Sequence, residues 1–75
     1  MSIAEMESTL RRAAEYGILA LRMEADQYRT QAARERIEGH DGLSAAFAKL
    51  AADRDAELRE LEVAYRTKYK PEVEA

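Results

Sequence analysis

The sequence predicts an all-α chain, an antiparallel two-helix hairpin that self-associates into a four-helix bundle. Three observations carry this. Apolar residues recur at helical spacing over two long stretches separated by a single glycine-bracketed turn. A composition 47% hydrophobic and 36% charged, with one proline and three glycines, is that of long amphipathic helices. Finally, 75 residues give too little volume for a self-sufficient core. The usual supplements are disulfides, a structural metal or oligomerisation, and the chain has no cysteine to supply the first or the thiolate ligands of the second.

Helix 1 is predicted over about residues 2–38. Ser2 stands three residues ahead of Glu5, which is the spacing of a capping box, and Met1 and Met6 occupy the positions of a hydrophobic staple. Its apolar positions are Ile3, Met6, Leu10, Ala14, Ile18, Leu21, Ala25, Tyr28 and Ala32, at steps of three and four residues. Their average is close to 3.6, which predicts nearly straight helices with little left-handed supercoil.

The pattern breaks at Glu38-Gly39-His40-Asp41-Gly42. Gly39 can take the left-handed conformation that ends a helix, and Asp41 can cap the next one. The turn is therefore predicted at 39–42. Arg34 and Arg36 in the preceding turn complement the negative end of the helix dipole.

Helix 2, predicted over about 43–69, carries Leu43, Phe47, Leu50, Leu58, Leu61 and Tyr65 on one face, with Arg54 inside the stripe. Pro71 stops it, leaving a short charged tail over 70–75. No linker or repeat divides the chain, so residues 1–75 form one domain. A short connection makes the helices antiparallel neighbours, with residues whose numbers add to about 81 facing each other. On that register helix 2 runs out opposite residues 11–13, and Ile3, Met6 and Leu10 have no partner within the chain.

The middle of helix 1 is apolar over more than one stripe. Leu19 and Met23 point well away from Ile18 and Leu21 at 100° per residue, so one neighbouring helix cannot cover them all. Ala13, Gly17 and Ala20 would let another backbone approach closely. Ile3, Met6, Leu10, Ala13, Gly17, Ile18, Ala20 and Leu21 are accordingly the expected oligomer interface, and the expected partner is a second copy of the chain. Charges at four-residue spacing, such as Glu7 with Arg11, Arg11 with Glu15, Arg22 with Asp26 and Glu62 with Arg66, mark the solvated faces.

Residues that could carry chemistry are few. His40 is the single histidine and lies between two glycines, without a thiol, serine elbow or carboxylate pair to make a nucleophile and base. No enzyme activity and no cofactor or metal is expected. Arg54, inside an apolar stripe, either pairs across the hairpin with Glu24 in an interhelical ion pair that sets the register or lies at the stripe's edge and extends its charge to water. The stretch Phe47-Ala48-Lys49-Leu50-Ala51 followed by Leu58 resembles the second helix of rubrerythrin-like members of the ferritin-like family. That resemblance, about a dozen residues long, implies a metal-binding four-helix bundle whose Glu-x-x-His motif comes next. This chain has Arg54-Asp55-Ala56-Glu57 at that place, and an arginine there would repel a cation.

The net charge of -3 opposes nucleic-acid binding, for which the basic and aromatic run Arg66-Thr67-Lys68-Tyr69-Lys70 is the one signal. No apolar run reaches the roughly 20 residues of a membrane span, and Met1-Ser2-Ile3-Ala4-Glu5 does not read as a secretory leader. A cytoplasmic location is the resulting expectation. The function that composition and pattern favour is that of a small non-catalytic assembly or adaptor protein acting through helix contacts, with a ferritin-like metal bundle or an accessory nucleic-acid binder as alternatives.

Overall fold

The computed structural model describes residues 2–69. Two helices make up the fold, α1 (Ile3–Ile37) and α2 (Asp41–Tyr69), packed side by side as a hairpin. Met1, Pro71 and the tail, and with them the staple and the predicted stop, lie outside the described residues.

The start of α1 is a complete capping box. The Glu5 amide donates to Ser2 Oγ at 3.1 Å while the Ser2 amide donates to Glu5 Oε1 at 3.0 Å, so two of the helix's orphan N–H groups are satisfied reciprocally. Its end is a Schellman motif. Gly39 has φ of 85°, its amide donates to Arg36 O at 3.1 Å, and the His40 amide donates to Glu35 O at 2.7 Å. The His40 carbonyl then accepts the first bond of α2, from the Ser44 amide at 2.9 Å. His40 therefore holds the N-cap position expected for Asp41, and α2 begins two residues before the expected residue 43. Asp41 sits instead in the first turn, where its charge meets the positive end of the dipole.

So tight a connection places the centre of the hairpin at Gly39 instead of residues 40 and 41. Helix α2 consequently reaches further along α1 than expected, with Lys68 and Tyr69 lining a groove together with Ala4, Glu7, Ser8 and Arg11. Even so, Ile3 remains 74% exposed, Met6 48% and Leu10 51%.

The helices meet along a seam of alternating three- and four-residue steps. On α1 these are Ala14, Ile18, Leu21, Ala25, Tyr28 and Ala32; on α2 they are Ser44, Phe47, Ala51, Arg54, Leu58, Leu61 and Tyr65. Within the seam the repeat is therefore seven, the spacing of helices that wind left-handedly about each other, and not the 3.6 average of the whole apolar pattern. The four-residue steps that raise that average, Met6 to Leu10 to Ala14, fall where α1 is least covered.

Among the described residues only Ala25, Ala32, Ala51, Leu58 and Tyr65 are buried, and none of the larger side chains there is fully enclosed. Alanines near the turn bring the backbones close enough for Ser44 Oγ to donate across to Ala32 O at 2.8 Å. Tyr28 and Phe47 stack beside them, with centroids 6.2 Å apart. Bulk rises toward the open end, where Leu61 packs over Gly17.

A Cβ built on Gly17 would lie 3.7 Å from Leu61 Cδ2, an ordinary van der Waals contact. Gly17→Ala is therefore expected to stabilise the fold by about 1 kcal/mol by removing the backbone entropy of a helical glycine, a rise of roughly 4–8 °C in Tm. Gly39→Ala, at positive φ with nothing within 4 Å, should cost about 1–2 kcal/mol through backbone strain alone. Thermal melts followed by circular dichroism check both. Leucine at 17 would press on Leu61 and disturb the hairpin itself.

Candidate functional site

At 100° per residue, Leu21 and Arg22 fall on opposite sides of the seam position Ala25, and Leu61 and Glu62 on opposite sides of Leu58. The hairpin thus has two unlike flanks. One is laced by charge: Arg22 binds Glu62 at 2.5 Å, and Arg29 binds Asp55 at 2.7 Å and Asp26 at 2.5 Å. At its open end Arg11 Nε donates to the Tyr65 hydroxyl at 3.2 Å, and that hydroxyl donates to Glu15. Arg22 and Glu62, expected to pair within their own helices, reach across the seam instead because their side chains are long enough to span it. A groove on this flank is lined by Ile18, Arg22, Glu62, Tyr65 and Arg66.

The other flank is apolar. Leu21, Leu61 and Ala64 line an open groove rimmed by Glu57 and Glu60. Nearer the chain start, Leu10 forms a shallow depression with Glu7, Lys68 and Tyr69. Of the residues expected to form an oligomer interface, Ile3, Met6, Leu10, Ala13 and Ala20 are exposed. Gly17 faces Leu61 within the hairpin, Leu21 lines the apolar groove, and Ile18 lines the charged one.

Arg54 lies between a carboxylate of each helix, its side chain 27% exposed. Its Nε is 3.7 Å from Glu24 Oε1, an ion pair without a hydrogen bond, and is otherwise unpartnered. Its terminal nitrogen donates to Glu57 Oε1 at 2.5 Å. The guanidinium thus occupies the space between Glu24 and Glu57, and the two carboxylates neutralise an arginine where a di-iron bundle would direct them at a cation.

A second cluster stands at the turn. His40 Nδ1 pairs with Glu35 Oε1 at 2.7 Å and lies 3.8 Å from Glu38 Oε1, and one ligand atom from each of the three falls within 4.8 Å of the others. His40 is exposed in the turn, as expected of a histidine between two glycines, and is also paired. The Schellman turn folds the residue after the glycine back over Glu35, a place more often filled by an apolar contact. The His40 hydrogen bond, with a smaller contribution from Gln31, holds the Glu35 carboxyl below its ordinary value despite partial burial.

Among the described residues no helix is long and apolar enough to cross a membrane. No family model, no curated protein and no solved structure matches the chain.

Because Glu35 has a depressed folded-state pKa, the stability it contributes is present above the unfolded-chain value of about 4.3 and lost as pH falls through the lower folded value. Tm should therefore drop on acidification below that range, and Glu35→Gln should flatten part of the drop; parallel acid melts of the two proteins check this. For Arg54 and Glu24, a double-mutant cycle should return a coupling below about 1 kcal/mol, the range of a partly exposed pair.

Proposed function

We propose that this chain is a non-catalytic interaction protein that acts through its helix faces, its first partner being another copy of itself in a four-helix bundle. The observation that carries the reading is that the hairpin is one layer thick. Its smallest dimension is 13 Å, whereas a stable domain encloses a core between at least two layers. With three alanines, one leucine and one tyrosine as its buried set, the pair of helices hides little apolar surface on its own.

Area gives the same answer. The chain exposes 5822 Å², where a compact monomer of its mass would expose about 4,700 Å². The excess, on the order of 1,000 Å², is comparable to the roughly 800 Å² that each partner contributes to a stable protein interface. The radius of gyration, 16.9 Å, likewise exceeds the roughly 11 Å of a compact domain this long.

Four of the six serine and threonine hydroxyls favour a non-catalytic role. Ser2 caps a helix, Ser44 bonds to Ala32 across the seam, and Thr9 and Thr67 bond back to carbonyls of their own helices. Each is engaged with the backbone and none is set against a base.

Sedimentation equilibrium at micromolar concentration is expected to give a mass of at least two chains, with a melting temperature that rises with protein concentration. A cooperatively melting monomer over the same range would overturn the proposal.

A further inference from the structure

We infer that two copies pair through the apolar flank with the first halves of their α1 helices antiparallel, so that Met6 and Leu10 of each copy enter the partner's groove at Leu21 and Leu61. This rests on the self-association reading above and names its surface. The same flank carries both the projecting side chains and the groove that can receive them. Met6 and Leu10 stand half-exposed beyond the well-covered part of the seam, and Leu21, Leu61 and Ala64 line an open groove further along. A surface holding a knob and its hole side by side is self-complementary under a two-fold axis, where residue i meets j and j meets i. An antiparallel arrangement that brings Met6 and Leu10 onto the partner's Leu21 region places that axis beside Ala13, whose small side chain permits close approach.

Charge agrees with the pairing. Lys68 lies beside Leu10, whereas Glu57 and Glu60 rim the groove. When a partner's Leu10 enters the groove, its Lys68 comes toward those carboxylates. On the charged flank Arg22 is already paired with Glu62 and Arg29 with Asp55 within the hairpin. Tyr16, Leu19 and Met23, also exposed on α1, fall at 100° per residue on the face turned away from α2. The amount of surplus surface is also what one such interface would cover.

The chain has no cysteine, so single cysteines report proximity. Under mild oxidation Ala13→Cys is expected to form a covalent dimer and Met23→Cys is not, both in the otherwise unaltered chain. In sedimentation, Leu10→Glu should weaken association at least tenfold while Leu19→Glu leaves it within about twofold. Lys68→Glu should weaken it and the added Glu60→Lys should restore it, a rescue that a merely misfolded variant would not show. If the native chain associates but cross-links through position 23, or is dissociated by Leu19→Glu and not by Leu10→Glu, the flank is wrong and self-association stands. A monomeric native chain would remove both.

Discussion

Everything about this protein follows from the limit on what two helices can hide. A pair of α-helices shares one line of contact, and each leaves most of its circumference to solvent. Here that line is set by small residues. Ala25, Ala32 and Ala51 let the backbones approach near the turn, close enough for Ser44 to bond the Ala32 carbonyl, but alanine gains little from burial because it has little to bury. Close approach and a substantial core are in conflict in such a short chain. Of the larger apolar side chains only Leu58 and Tyr65 are buried among the described residues, while Leu21 and Leu61 at the seam's edge are half-covered and Met6 and Leu10 exposed.

That arrangement is not symmetric. The ion pairs Arg22–Glu62 and Arg29–Asp55 lie on one side of the seam and Leu21, Leu61 and Ala64 on the other, so the hairpin has a wetter flank and a drier one. Ion pairs such as Arg22 with Glu62 contribute little stability where water screens them. Their effect is more one of address, since they occupy one flank with groups that gain nothing from being covered and leave the apolar groups on the other. Arg54 lies toward the drier side, where the carboxylates of Glu24 and Glu57 compensate it locally.

The two ends of the molecule differ in kind. At the turn, the backbone is over-determined: Gly39 in the left-handed region, two Schellman bonds, the His40–Glu35 pair and the Ser44 cross-link all demand one geometry. At the open end the contacts are made by long side chains, with Tyr65 joining Arg11 to Glu15 and Tyr69 lying alongside Lys68. The hairpin is thus fixed by backbone geometry at one end and held by adaptable side-chain contacts at the other.

Local signals alone determined the helices, the capping box at Ser2 and Glu5, the left-handed Gly39 and the antiparallel pairing, because each depends on residues within a few positions of one another. Only the tertiary structure decided the rest. It moved the centre of the turn to Gly39, gave His40 the cap and a bond to Glu35, turned Gly17 inward to Leu61, and sent Arg22 across to Glu62 in preference to its neighbour four residues away. The seven-residue repeat of the seam was likewise masked in the sequence by the four-residue steps around Leu10, which belong to a different surface. The physical reason is common to all of these. Periodicity tells which residues share a face of one helix, but which face meets which depends on the rotation and offset between two helices, and those are set by packing across the seam.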